Sequence, residues 1–299
     1  MRIAITGSSG LIGTALRASL EADGHDVVRV VRSGGGPGTV SWDLDAGTID
    51  AAGLEGLDGV VHLAGEGIAE KRWTDDQKHR ILESRTQGTT LLAEALAGLT
   101  DKPPVLVSGS AIGFYGDRGD EQLTEASSAG TGFLPEVVQA WEAAAAPAEA
   151  AGIRVPKVRT GIVLAAHGGV LERLAKLARF GLLGKLGSGQ QWMSWISLHD
   201  EVAAIRFLLE HEVAGPVNLT APGPVTNEVL TKALGRVLKR PTFLPVPSFG
   251  PKLLVGAELA DALLFEGQRV LPEALQEAGF EFRHHEIETT LRDVLGKDR

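Results

Sequence analysis

The residues best suited to chemistry lie at the start of the chain. Gly7-Ser8-Ser9-Gly10-Leu11-Ile12-Gly13 has the spacing G-x-x-G-x-x-G. A diphosphate is held by main-chain N–H groups at a helix N-terminus, where the helix dipole favours negative charge. A side chain at the contact points blocks that approach, so glycine is required there. Gly7, Ser9, Gly10, Leu11, Ile12 and Gly13 are therefore expected to hold the diphosphate of a dinucleotide. Arg32 and Ser33 follow where the second strand should end, with no acid at that position. A carboxylate there suits a ribose 2′-hydroxyl, whereas a guanidinium suits a 2′-phosphate. The expected cofactor is NADP(H), with NAD less favoured. Asp43, just past the third strand, reads as an adenine contact or as a loop cap.

Other chemistries fall away on inspection. The chain has no cysteine, which removes disulfides, thiolate metal sites and cysteine nucleophiles and is compatible with a reducing compartment. His284-His285 lacks the H-E-x-x-H pattern and reads as a surface or strand-end pair, so no metal site is expected. No Gly-Lys-Ser/Thr follows Gly187-Ser188-Gly189, and no G-x-S-x-G elbow occurs. A net charge of −9 argues against nucleic acid as a partner. No apolar run nears the roughly 20 residues that span a bilayer, and no signal peptide opens the chain. The expectation is a cytoplasmic protein, monomer or homodimer, with a small-molecule partner that could be anionic. Glu66, Lys71 and His79 follow the fourth strand, and Arg85 lies on the helix after it. Lys71 and Arg85 could hold an anion, or form a solvated helix face. Trp192 and Trp195 could line a pocket or fill an interface between lobes. Arg173, Lys176, Arg179 and Lys185 form a basic stretch in what reads as a substrate region.

The elements that must position these residues alternate strand and helix. Ile3-Ala4-Ile5 is a short buried strand; Leu11, Ala15, Leu16 and Leu20 recur at helical spacing, and Gly24 ends that helix. Val27-Val28-Arg29-Val30-Val31, Thr39-Val40-Ser41-Trp42, Val60-Val61-His62-Leu63-Ala64 and Pro104-Val105-Leu106-Val107-Ser108 are further strands. Long helices are expected over about 75–99 and 134–151, the second bent or closed by Pro147. A sixth strand over 155–163 contains Pro156, which predicts a bulge or a late start. The fold class is α/β: a Rossmann doubly wound parallel sheet with helices on both faces, plus a smaller, mainly helical C-terminal lobe. Residues 1–165, with 190–220 returning to them, form the dinucleotide-binding domain. Residues 166–189 and 221–299 form the substrate lobe.

In this arrangement the chain resembles the extended, sugar-nucleotide-epimerase-like branch of the short-chain dehydrogenase/reductases. The matching pieces are the segment from Thr6 to Gly13, His62-Leu63-Ala64-Gly65, Ser108-Gly109-Ser110-Ala111-Ile112-Gly113-Phe114-Tyr115-Gly116, Trp195-Ile196-Ser197-Leu198-His199-Asp200-Glu201-Val202 and Pro216-Val217-Asn218-Leu219. More narrowly it resembles the atypical "epimerase family protein" group, through Arg72-Trp73, Ser84-Arg85, Trp141-Glu142, Arg159-Thr160-Gly161 and the helical segment from about Pro245. The resemblance implies cofactor contacts at Leu63, Ala64, Gly65 and Ser108, and a carbonyl-polarising role for Ser110. The superfamily's Tyr-x-x-x-Lys pair is missing. Tyr115 is the one tyrosine and position 119 is glycine; if Glu142 matches the glutamate that often follows the pair, its positions hold Leu134 and Val138. Tyr115 is then the first candidate proton donor, because a phenol is competent and it lies past the fifth strand. Two functions follow: an NADP(H)-dependent oxidoreductase or epimerase acting by hydride transfer on a small polar or sugar-nucleotide-like substrate, or a non-catalytic NADP(H)-binding redox sensor. A third keeps an NAD-dependent epimerase.

Overall fold

The computed structural model describes residues 1–33, 35–243 and 245–297. The first half runs β1 (Arg2–Thr6), α1 (Leu11–Ala22), β2 (Asp26–Val31), β3 (Thr39–Asp43), β4 (Thr48–Ile49), β5 (Gly59–His62), α2 (Asp75–Gly98), β6 (Leu106–Ala111), β7 (Gln122–Leu123), α3 (Phe133–Ala143) and α4 (Ala146–Ala150). It continues with β8 (Pro156–Thr160), β9 (Ile162–Leu164), α5 (Gly169–Arg179), β10 (Trp192–Met193), β11 (Trp195–Ser197), α6 (Leu198–Glu210) and β12 (Gly215–Leu219). The chain ends with β13 (Val225–Thr226), α7 (Asn227–Leu238), α8 (Phe249–Val255), α9 (Ala257–Ala260), a π-helical turn (Asp261–Phe265), β14 (Arg269–Val270), α10 (Glu273–Glu277) and α11 (Ile287–Val294).

Eight strands form the main sheet in the order β12-β8-β6-β5-β1-β2-β3-β4. Every pairing in it is parallel except β3 with the short edge strand β4. The chain leaves β1 toward β2 and β3, then returns to β5 on the other side of β1. The loops after β1 and β5 thus meet at the topological switch point, where such sheets bind ligands. Ile3, Ala4 and Ile5 are fully buried, as is β5, because both sheet faces are covered. One face packs Ile5, Val61 and Val158 against Leu16 and Leu20 of α1 and Ile205 and Leu208 of α6. The other packs Ala4, Val60 and Leu106 against Leu92 and Leu96 of α2 and Ala148 of α4. A third core joins α5, α7 and α11 through Leu171, Leu234 and Leu291.

Local signals fix the helix starts. Thr74 caps α2, its hydroxyl accepting from the Gln77 amide, with Asp75 and Asp76 in the first turn. Ser197 and Thr226 cap α6 and α7 in the same way. Two expectations are corrected. The single helix over 134–151 is two: α3 ends at Ala143, and Pro147 lies in the first turn of α4, where its missing N–H costs nothing. Over 155–163 the strand breaks into β8, which starts at Pro156, and β9, which pairs with β11 outside the main sheet. The C-terminal region is mainly helical, as expected, and also carries β14, which pairs with β7. The loop over 33–38 includes position 34, outside the described residues.

Candidate functional site

The three loop glycines have three different reasons. At Gly7, which has φ +66°, a Cβ would come within 2.8 Å of the Leu63 carbonyl carbon. The two switch-point loops therefore touch backbone to backbone. At Gly13 a Cβ would sit 2.2 Å from the Gly7 oxygen, so α1 can dock only on glycine. Gly10, the residue before α1, meets only the Gly7 oxygen, at 3.3 Å, and is exposed. No side chain caps α1. The amides of Leu11 and Ile12 have no acceptor among the described residues. An open backbone cradle at a helix N-terminus fits a diphosphate, and a side chain at position 10 would fill it. Ser9 is exposed beside it.

Beneath the cradle lies a buried hydrogen-bonded chain. Thr6 Oγ1 accepts from the Leu63 and Ala64 amides at 3.0 and 3.1 Å, which fixes the second loop. Its own proton goes to His62 Nδ1 at 2.7 Å, and His62 Nε2–H donates to Thr89 Oγ1 at 3.0 Å. Burial holds His62 neutral, with its pKa lowered to about 4. Gly65 lies against the Arg85 guanidinium. Ser108, beside His62 in the sheet, is buried and its hydroxyl has no partner.

At the end of β2, Arg32 and Ser33 are exposed, and the Arg32 side chain has no partner among the described residues. That leaves a guanidinium free to meet a phosphate. Asp43 is committed instead to its own loop: Oδ1 accepts from the Asp45 and Ala46 amides, both at 3.0 Å. The loop-cap reading describes this oxygen, and the exposed side chain keeps its Oδ2 outside that turn.

Ser110 and Tyr115 do not face a pocket; they belong to one buried network. The Ser110 hydroxyl donates to Glu142 Oε1 at 2.6 Å. Arg159 grips the same carboxylate in a two-pronged pair, Nε to Oε1 at 2.7 Å and Nη2 to Oε2 at 2.9 Å. Arg159 Nη1 donates to the Tyr115 hydroxyl at 3.0 Å, and that hydroxyl donates to Asn218 Oδ1 at 2.7 Å. Asn218 Nδ2 continues to the Leu271 carbonyl at 2.9 Å. Tyr115 is 0% exposed, and burial raises its pKa despite Arg159. Sequence reasoning missed this network, although an arginine in the middle of a buried parallel strand must find an acid.

A cavity of about 210 Å³ opens between the strand ends and the π-helical turn. Leu134 and Val138, at the positions where a Tyr/Lys pair is expected, line it together with Trp141, Arg85 and Trp192. Arg85 Nη1 donates to the Glu66 and Ile81 carbonyls at 3.0 and 3.1 Å, and its guanidinium carbon lies 5.0 Å from the Trp141 ring centroid. Burial lowers its pKa to about 10, with Glu66 opposing. Trp192 Nε1 donates to Asp120 at 2.7 Å. Glu66 and Lys71 are not in the wall; they face each other at 3.8 Å, with Lys71 in solvent. The basic stretch also lies elsewhere: Lys176 pairs with Glu172 and Lys185 with Glu228.

Two further ionisable groups are buried. Glu201 is fully buried; burial raises its pKa to about 8, with the Thr160 hydroxyl donating to Oε1 at 2.8 Å and Oε2 unpartnered. His284 is buried rather than at the surface, bonded to Ser197 Oγ at 2.8 Å and Asp293 Oδ2 at 2.9 Å. His199, Asp200 and His284 lie close together. The Asp200 carboxylate already accepts the Arg283 and His284 amides, so the group clasps the chain end onto α6. No described helix is long and apolar enough to cross a membrane.

Known proteins share this architecture. Residues 3–220 match the NAD dependent epimerase/dehydratase family, and residues 246–294 match a domain of unknown function, DUF1731. The epimerase family protein ML0860 of Mycobacterium leprae is 44% identical over 287 residues, covering 95% of this chain and 92% of that protein. The crystal structure of the human epimerase family protein SDR39U1 with NADPH superposes with a TM-score of 0.90 at 32% identity, covering 99% of both chains. A nucleoside-diphosphate sugar epimerase from Corynebacterium glutamicum gives a TM-score of 0.82 at 40% identity, covering 99% of this chain and 58% of that one. The glycine cradle at the switch point, the doubly wound sheet and these full-length similarities make the chain a member of the NAD dependent epimerase/dehydratase family, with a C-terminal DUF1731 domain.

Proposed function

We propose that this protein is an NADP(H)-dependent oxidoreductase or epimerase of the cytoplasm, acting on a small molecule held in the cavity beside the Arg85 guanidinium. The observation that carries the reading is the open cradle at Gly10, with Arg32, which has no partner among the described residues, at one end and the cavity at the other. Leu11 and Ile12 would offer their amides to the diphosphate, and Arg32 with Ser33 would receive a 2′-phosphate. Leu63, Ala64 and Gly65 would line the other side. The human relative solved with NADPH supports the same cofactor. When bound, a nicotinamide supplies or accepts a hydride. The chain's own part is to exclude water with Leu134, Val138 and Trp141 and to hold an oxygen of the substrate at Arg85. The Tyr115 phenol takes no part in proton transfer in this reading, because both of its hydrogen bonds are committed.

Calorimetry with NADPH and NADH tests the proposal: NADPH should bind at least tenfold more tightly. Absence of heat from both would end it. Leu134 and Val138 favour one second reading, a redox sensor without turnover. That reading requires NADP⁺ and NADPH to give different hydrogen-exchange patterns and no carbonyl substrate to be reduced.

A further inference from the structure

We infer that the substrate is a small, largely apolar carboxylic acid whose carboxylate docks on the free edge of Arg85, and that the site rejects nucleotide-diphosphate sugars. This rests on the cofactor reading above, because the cavity is the one that would receive the nicotinamide.

The accounting of polar groups in the cavity leads there. Arg85 spends Nη1 on two main-chain carbonyls, while Nε and Nη2 have no acceptor among the described residues. Those two N–H groups point the same way from a planar group and match a carboxylate two-for-two. The hydroxyls in the wall are committed elsewhere: Thr160 donates to Glu201, and Ser194 donates to the Gln268 carbonyl while accepting from the Val270 amide. The rest of the wall is mostly apolar, with Ile81, Leu134, Val138, Trp141, Ile162 and Leu263 contributing. The remaining polar groups of the wall are few, namely the unpartnered Trp141 Nε1–H, Glu266 and Gln268, so a sugar bringing several hydroxyls to this surface would leave some of them unpaired, at a cost for each. An apolar acid leaves only its carboxylate to satisfy, and one guanidinium edge does so.

The entrance carries a second argument. A cavity of about 310 Å³ adjoins the first and shares Gly113, Leu134, Ala262, Glu266 and Gln268 with it. Its wall includes Glu258, Asp261 and Glu266. The two nearby lysines are already paired, Lys78 with Glu258 at 2.6 Å and Lys252 with Asp261 at 2.7 Å. Glu266 has its pKa raised by burial and by the neighbouring Asp117 and Asp261 charges, which marks a locally negative field. Arg269, stacked on the Trp192 ring at 4.4 Å, is a cation without an ion pair among the described residues, but a diphosphate, with at least two charges, is repelled by these carboxylates more strongly than a monocarboxylate.

The test uses full-length protein and separates the two readings. NADP⁺ is titrated first; absence of binding overturns the cofactor proposal and this one with it. The NADP⁺-loaded protein is then titrated with 3-phenylpropanoate, hexanoate, 3-phenylpropanamide and UDP-glucose. The carboxylates should bind, and the amide should bind at least tenfold more weakly. Arg85→Gln should lower 3-phenylpropanoate affinity at least tenfold, with NADP⁺ titrated into the same variant to establish that the cradle is intact. Leu263→Trp, which narrows the cavity without touching Arg85, should weaken phenylpropanoate more than hexanoate. Binding of UDP-glucose in preference to both acids, no binding of either acid to the loaded protein, or equal acid affinity in wild type and Arg85→Gln overturns the proposal.

Discussion

Gly10 and Gly13 stand three residues apart, yet a side chain would do opposite things at the two positions. A Cβ at Gly13 collides with the Gly7 oxygen, so Gly13→Val should destabilise the fold by about 3 kcal/mol or more through overpacking. At Gly10 a Cβ meets only the Gly7 oxygen, at 3.3 Å, so Gly10→Ala should cost far less stability than Gly13→Val and still weaken dinucleotide binding. Thermal melts alongside calorimetry separate the two. Arg32→Ala should weaken NADPH by roughly 10- to 100-fold and leave NADH within about 3-fold, since only one of them carries the 2′-phosphate. Glu142→Ala would strand a buried guanidinium and should cost about 3–5 kcal/mol in a denaturant melt. The diphosphate cradle was legible in the sequence because its requirement is local: three glycines within one turn. The roles of Ser110 and Tyr115 were not legible. Their partners, Glu142, Arg159 and Asn218, lie far along the chain, and only the folded sheet brings them together.

At the level of elements, the buried ionisable groups set the pH response. Glu201 in α6 has a folded pKa of about 8, above its ordinary value of 4.5. Its contribution to stability is fully present below about pH 4.5 and is lost as pH rises toward 8, by about 1.4 kcal/mol per unit. Glu201→Gln should therefore gain on wild type steadily between pH 5 and pH 7.5 in urea melts. His62 in β5 runs the other way. Its folded pKa of about 4 lies below 6.5, so its contribution is complete above pH 6.5 and lost as pH falls toward 4. Helix boundaries were partly readable: the stop at Gly24 follows from residue type and position. The split between α3 and α4 was missed because a proline after an alanine-rich run ends one helix or starts the next, and tertiary packing of Ala145 and Ala148 decides which.

Across the whole molecule, the C-terminal segment is part of the main core rather than an attachment. Leu275 and Phe282 pack in the cluster that holds Ile5, Val61 and Ile205. Strand β14 pairs with β7, and the His284 clasp binds the chain end to α6. Removing residues 246–297 should leave an insoluble or unfolded product rather than a free dinucleotide-binding domain, and full-length protein should unfold in a single calorimetric transition. The doubly wound architecture was visible in the strand–helix alternation, whereas this interleaving was not. Two-residue strands and a returning hydrophobic cluster carry no periodic signal.

The chain of contacts from Glu142 through Arg159, Tyr115 and Asn218 to the Leu271 carbonyl has a mechanical consequence. It is a strut that nails the sheet to the chain's final quarter, and opening the molecule like a jaw would tear every joint in it. A looser element lies outside that strut. Helix α8 has no buried residue, and Arg72 fastens its end through the Leu253 and Leu254 carbonyls at 2.6 and 2.9 Å. Severing that fastening with Arg72→Ala should speed hydrogen exchange over Phe249–Val255 and leave the sheet untouched.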